Sequence, residues 1–235
     1  MKLRRSLYII IVSAVSLLLF CGCQLEPVAG EEMILAAREA YTALDSARVD
    51  VINDDTGESE QIFIFKYDEK GMMTYSYIGM GEGTYIAQYN NGYEQFTDDN
   101  GAYTFSQTGE DSFAAYSREV PYPYADEGLI LFYKKAVMDE LSYVASNEQA
   151  TEICHVYDVE KLGETDAMGK MTGFCVKYYF DGEGNLLYLK EITELRLDDG
   201  TEKTYSYSVY ITERNAVDSV PNVVKIPDVD DGSMM

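Results

Sequence analysis

Short runs in which apolar and polar residues alternate fill most of this chain from Ser46 onward. In the last run, Tyr205, Tyr207, Val209 and Ile211 alternate with Thr204, Ser206 and Ser208. Successive side chains of a strand point to opposite faces of a sheet, so a period of two is typical of strands with one buried face. The sequence therefore predicts many short β-strands.

Turn signals separate these runs. They are Asp54-Asp55-Thr56-Gly57, Asn90-Asn91-Gly92, Asp98-Asp99-Asn100-Gly101 and Asp198-Asp199-Gly200. Such clusters favour tight hairpins, because Asn and Asp tolerate left-handed backbone and Gly adopts it without steric cost. Strands joined by such short connections are antiparallel neighbours. We therefore predict an antiparallel meander.

Two segments carry a helical period instead. In Glu31 to Leu44, the apolar residues Ile34, Ala37, Tyr41 and Leu44 share one helical face. A second helix is predicted from Glu127 to Val144, after Pro121 and Pro123, with Asp126 as its N-cap. The apolar face of that second helix is Ile130, Tyr133, Val137, Leu141 and Val144.

This order of elements predicts an α+β fold. We expect a curved antiparallel β-sheet, half-barrel-like, with an N-terminal helix and a mid-chain helix packed on one face. Residues 31–227 are assigned to this single domain, residues 24–30 to a tether, and residues 228–235 to a flexible acidic tail.

The N-terminus has the pattern of an export signal. Lys2, Arg4 and Arg5 precede the run from Leu7 to Phe20, which at about 14 residues is short for a bilayer span. The run ends in Phe20-Cys21-Gly22-Cys23, which resembles a bacterial lipoprotein signal. In that family a small residue precedes the cysteine that receives a diacylglyceryl group.

Gly22 fits the small position, so we predict Cys23 as the lipidated residue and prefer it to Cys21, which follows the bulky Phe20. Phe20 departs from the Leu that the family usually has there. Two acyl chains suffice for stable attachment, so the protein would lie at the extracytoplasmic face of the cell membrane, anchored by lipid. An ordinary cleaved signal and an uncleaved N-terminal helix are the alternatives.

The charge of the chain is strongly negative, at −23 with 41 acidic and 18 basic residues. Removal of residues 1–23 takes away three basic residues and no acidic one. Such a surface repels nucleic acid, which is therefore excluded as a partner. It also repels anionic headgroups, so lipid rather than charge would hold the protein at the membrane. A cationic protein partner is compatible with it.

Cys154 and Cys175 are the cysteines left after the signal. Both lie in strand-like runs, Ile153 to Val159 and Phe174 to Phe180, and a disulfide between them is predicted if those strands pair. Two buried free thiols are the alternative.

The layout of the whole domain resembles the LolA-like proteins, which include lipoprotein carriers and LppX- and LprG-like proteins. The resemblance rests on the opening helix, the first strand Ser46-Ala-Arg-Val-Asp-Val51, the paired turns between Tyr89 and Tyr103, the stretch Tyr179-Phe-Asp-Gly-Glu-Gly-Asn-Leu-Leu-Tyr188 and the closing Val224-Lys-Ile-Pro227. It implies a cavity between sheet and helices that shelters acyl chains or other hydrophobic ligands.

Apolar alternating residues on one side of the sheet are the candidate ligand lining. They are Met73, Tyr75, Tyr77, Tyr85, Tyr89, Tyr205 and Tyr207. The same residues could instead form a solid core beneath the helices, in which case the protein would be a non-enzymatic surface or periplasmic interaction or sensor module.

Enzymatic and metal sites are not expected. The one histidine, His155, follows Cys154 in a strand, so the two side chains would point to opposite faces. Asp181, Glu183 and Asn185 have the spacing of calcium ligands, and Asp228, Asp230 and Asp231 cluster, but neither run has the complete calcium-loop pattern. We therefore expect no cofactor.

Overall fold

The computed structural model describes residues 28–69, 71–107, 137–162 and 169–223. The helices are α1 (Glu31–Thr42) and the short α2 (Val159–Leu162). The first six strands are β1 (Ser46–Asn53), β2 (Ser59–Tyr67), β3 (Met72–Gly81), β4 (Thr84–Asn90), β5 (Glu94–Asp99) and β6 (Ala102–Gln107). The other strands are β7 (Tyr143–Ser146), β8 (Ala150–Tyr157), β9 (Lys170–Asp181), β10 (Leu186–Arg196) and β11 (Glu202–Thr212).

All these strands form one antiparallel sheet of 11 strands, in the order β6-β5-β4-β3-β2-β1-β11-β10-β9-β8-β7. Two meanders meet at its centre, where the first strand pairs with the last and Val49 lies opposite Ile211. β6 and β7 are the two edges of the described sheet, which is therefore open.

The buried core lies between α1 and one face of this sheet, called here the helix face. Its members in the strands are Ala47, Val49, Val51, Phe65, Met72, Ile153, Tyr157, Val176, Tyr178, Phe180, Leu186, Leu189, Val209 and Ile211. From α1, Ile34 and Tyr41 join the same cluster. Each fully buried aliphatic side chain contributes about 1.5–3 kcal/mol, so this cluster dominates the stability of the fold.

The α+β class, the antiparallel sheet and the N-terminal helix on one face are confirmed. The helix ends at Thr42, two residues before the predicted Leu44. In the described part of the chain, no helix is both long enough and apolar enough to span a bilayer.

The predicted mid-chain helix is wrong at its C-terminal end, and its residues 127–136 lie outside the described chain. Leu141 is in a turn, and Val144 is in β7, opposite Ile153. The spacing of Val137, Leu141 and Val144 fits a helix, but pairing with β8 satisfies the backbone of 143–146 and overrides that local pattern. Ser142 contributes to the turn, because its hydroxyl donates to the carbonyl of Asp139 at 2.9 Å.

Gly30 provides a direct test of how α1 meets the sheet. It precedes the helix with a φ of 68°, and a Cβ added there would lie 2.4 Å from Cδ1 of Ile153. Gly57 has a similar φ of 71°, with nothing within 4 Å of an added Cβ. Gly57→Ala should therefore cost only the left-handed backbone strain of about 1–2 kcal/mol.

We expect Gly30→Ala to lower the free energy of unfolding by about 1–3 kcal/mol more than the Gly57→Ala control, because it also overpacks the core. Urea unfolding followed by circular dichroism measures both variants. Equal losses in the two would show that α1 does not pack against Ile153 in this way.

Candidate functional site

The predicted ligand lining is divided between the two faces of the sheet. Tyr75 lies opposite Ile64 and Tyr89 in the sheet. Ile64 is next to the core residue Phe65 in β2, so Ile64 and Tyr75 point to the face opposite that of Phe65. Met73, Tyr75, Tyr77, Tyr85 and Tyr89 therefore lie on the face opposite α1, called here the outer face. Tyr205 and Tyr207 lie on the helix face, where Tyr207 packs against the core. The seven residues do not line one cavity.

The outer face carries a contiguous aromatic surface over β3 to β6. Tyr77 stacks on Tyr85 with ring centroids 5.6 Å apart, and Phe96 lies 4.9 Å from Phe105 and 6.1 Å from Tyr89. The Tyr85 hydroxyl donates to the buried Asp98 carboxylate at 3.0 Å, and this bond raises the pKa of Tyr85. The stripe predicted from alternation is real, but α1 does not cover it.

A pocket does lie between α1 and the sheet, at the end where β10 begins and β11 ends. Its volume is about 160 Å³. The walls are Ala36, Ala37, Ala40, Tyr41 and Leu44 from the helix side, Gly184, Asn185 and Leu186 from the β9–β10 hairpin, and Ile211 and Arg214. The three alanines leave this space because their side chains are small. Ala37 is half-buried, whereas Ala36 and Ala40 are exposed, so the pocket is open to solvent on the helix side.

Arg214 is the charged residue of this lining. Its Nε donates to the carbonyl of Ile211 at 3.2 Å, and one terminal nitrogen donates to the carbonyl of Leu186 at 2.7 Å. Both acceptors belong to residues that line the pocket, so the guanidinium is held against its wall. The pocket therefore combines apolar and polar wall surface with an exposed cation that two hydrogen bonds hold in place, a combination suited to an amphiphilic ligand.

Tyr41 is the second polar residue of note in the pocket. Its ring packs edge-on against Phe65 at 5.9 Å, and the side chain is 6% exposed. Among the described residues, its hydroxyl has no hydrogen-bond partner. Burial raises the pKa of Tyr41, so the hydroxyl keeps its proton and remains a donor.

The β9–β10 hairpin that closes one side is shaped by Asp181. This carboxylate accepts the amides of Glu183 and Asn185 at 2.9 and 2.8 Å, and Asn185 also donates its Nδ2 at 3.0 Å. The calcium-like spacing of these residues therefore serves a hairpin turn. In the described ranges no group of three His, Cys, Asp or Glu side chains is placed to hold a metal ion, and Asp228, Asp230 and Asp231 lie outside the described residues.

Cys154 and Cys175 lie on the paired strands β8 and β9, both on the outer face. Cys154 is opposite Lys177 and Cys175 is opposite Val156, so the two are diagonal neighbours. Both are free thiols here. A hydrogen bond from Cys175 lowers the pKa of Cys154 to about 7. The disulfide stays a prediction, and Cys23 lies outside the described residues.

His155 belongs to the core rather than to a reactive site. It is fully buried on the helix face, and its Nε2 lies 2.9 Å from the carbonyl oxygen of Ala29, just before α1. Burial lowers its pKa. Cys154 is on the other face of the sheet, as its position next to His155 in the strand predicts.

Comparison with known proteins gives a structural likeness only. No family model matches the chain, and no curated protein matches it. The chain is similar to LprF from Mycobacterium bovis, with 11% identity, a TM-score of 0.43, and coverage of 81% of this chain and 95% of that chain. It is also similar to the lipoprotein LppX from Mycobacterium tuberculosis, with 11% identity, a TM-score of 0.45, and coverage of 81% and 97%.

LppX-like proteins are among those that the sequence of this chain was predicted to resemble, and the predicted resemblance is confirmed. The fold itself follows from this chain's own strand order and register.

Tyr41→Phe tests the unpartnered hydroxyl. Removal of a buried polar atom that lacks a partner should leave the protein as stable as before or stabilise it by about 1 kcal/mol, because such an atom costs ~1–3 kcal/mol of desolvation. Thermal unfolding of the variant and of the unaltered chain measures this. Tyr67→Phe, a half-buried tyrosine packed on the same Phe65, is the matched substitution. A clear loss of stability in Tyr41→Phe would mean that its hydroxyl has a partner.

Proposed function

We propose that this chain is an extracytoplasmic protein anchored to the membrane by lipid on Cys23, and that it binds a small apolar or amphiphilic molecule between α1 and the sheet. The observation that carries the binding proposal is the pocket with three alanines on its helix wall. The anchoring proposal is carried by the sequence that ends at Gly22-Cys23.

The size of the pocket limits the ligand. Typical sites for drug-sized ligands have volumes of about 300–1,000 Å³, whereas this pocket has about 160 Å³. An apolar cavity of about 150 Å³ accepts benzene. The part of the ligand that enters the pocket therefore has an apolar body of about six carbon atoms, and the rest of a larger ligand would remain outside it.

The chemistry of the walls supports binding rather than catalysis. Arg214 and Tyr41 are cationic and neutral donors, and neither is a nucleophile or a base at neutral pH. Asn185 adds an amide to the rim. These groups can orient a ligand, so we propose a binding role and no enzymatic one.

A second candidate function is the docking of a protein partner on the outer face. Tyr103 and Phe105 of the edge strand β6 are 53% and 52% exposed, and they continue the aromatic surface of Tyr77, Tyr85 and Phe96. Exposed aromatic residues are enriched at the centres of protein interfaces. This surface favours an interaction module, whereas the pocket favours ligand binding.

Ala37→Leu tests the binding proposal by filling the pocket. We expect saturable binding of hexanamide, a neutral probe with six carbons, to the full chain in lipid nanodiscs, measured by calorimetry against empty nanodiscs. The added side chain should abolish this binding. Ala43→Leu makes the same substitution at the C-cap of α1, outside the lining, and should bind as the unaltered chain does. Absence of binding to the unaltered chain would refute the proposed binding function.

Cys23→Ser tests the anchor. In bacteria that express the full chain and receive an alkyne analogue of palmitate, we expect label on the unaltered protein, no label on Cys23→Ser and unchanged label on Cys21→Ser. A labelled Cys23→Ser protein, or an unlabelled native one, would contradict the assignment.

A further inference from the structure

We infer that the ligand of the α1 pocket is a small apolar carboxylate whose head group binds Arg214. This inference rests on the proposed binding function and adds the chemical class of the ligand. The relevant feature is the set of N–H donors of the Arg214 guanidinium that have no acceptor among the described residues. Arginine carries five N–H donors in a planar fork. The bonds to Ile211 and Leu186 occupy two of them, and the others are unused among the described residues.

Three described cations of the sheet have carboxylate partners of their own, whereas Lys66, like Arg214, donates to backbone carbonyls, those of Val217 and Asp218, both at 2.8 Å. Arg48 pairs with Asp50 at 2.8 Å, Lys190 with Asp54 at 3.0 Å, and Arg196 with Glu202 at 3.0 Å. Arg214 hydrogen-bonds to backbone carbonyls, and none of the carboxylates in the described ranges forms an ion pair with it. An unneutralised guanidinium against a pocket wall is a site for an anion in a chain that otherwise carries a large excess of carboxylates.

Glu213, next to Arg214 in the chain, and Asp181, in the hairpin that borders the pocket, do not take this role. The charge of Glu213 acts on Arg48, at the opposite face of the sheet. Asp181, in the hairpin that borders the pocket, accepts bonds from the amides of its own turn. The net negative charge of the protein repels an anion at long range, but salt screens that repulsion beyond about 8 Å. The contact with Arg214 acts at hydrogen-bond distance and outweighs it.

The apolar side chains of the pocket determine what kind of carboxylate fits. Ala40, Leu186 and Ile211 contact a hydrocarbon body, while the guanidinium donates two parallel hydrogen bonds to the carboxylate oxygens. The two carbonyl bonds fix the fork before a ligand arrives, so little side-chain freedom is lost on binding. A carboxylate with about six carbons matches both the charge and the volume.

The test compares hexanoate with hexanamide, which has the same length and no charge. Calorimetry on the full chain in nanodiscs should show hexanoate binding about tenfold more tightly, because charge-assisted hydrogen bonds are roughly twice as strong as neutral ones. Added NaCl from about 0.05 to 0.5 M should weaken hexanoate and leave hexanamide unchanged. In Arg214→Gln the two probes should bind equally, at the hexanamide affinity of the unaltered chain.

The outcomes separate the two proposals. Equal binding of both probes to the unaltered chain overturns the carboxylate inference and leaves the binding function standing. Failure of both probes to bind overturns the binding function itself. A preference for hexanoate that persists in Arg214→Gln overturns the role of Arg214.

If Arg214→Gln binds neither probe because the hairpin is disturbed, the salt series on the unaltered chain decides. A hexanoate affinity that does not change with salt then contradicts the inference, and one that falls supports it.

Discussion

The contact between α1 and the helix face is the interaction on which the rest of this structure depends. Ile34 is fully buried in the core cluster that also contains Ile153 of β8, and Tyr41 packs on Phe65 of β2. The core under α1 therefore includes side chains from both meanders. Without α1, the buried residues of β1, β9 and β11 would face water on one side. The same helix carries the alanines that leave the pocket open, so stability and binding have a common origin.

Alternation and turn residues were enough to predict the antiparallel sheet, because period two and Asn/Asp-Gly turns act locally. They did not determine which face α1 covers. Tyr75 and Tyr207 have the same pattern in sequence, yet they lie on opposite faces, since the face of each strand depends on the pairing of β1 with β11. The end of the mid-chain helix was wrong for a similar reason: the pairing of Val144 with β8 is not local.

The pocket was not visible in the sequence as a site. Ala37 was predicted on the apolar face of the helix, but Ala36 and Ala40 carry no chemical signal, and Arg214 lies in a polar turn after β11. What brings them together is the packing of α1 against the sheet beside the β9–β10 hairpin. The sequence signal that could have indicated a pocket was the occurrence of three small alanines, Ala36, Ala37 and Ala40, on a helix that packs on a core.

The proposed pocket exists only if α1 is a stable part of the core rather than a segment that detaches from the sheet. Amide hydrogen exchange of the full chain tests this most directly, because exchange reports local opening. We expect the amides of 34–42 to exchange as slowly as those of 47–51 in β1, against which the helix packs. If the helix amides exchanged near the rate of an unfolded chain while β1 stayed protected, α1 would not hold the sheet and the pocket would not exist.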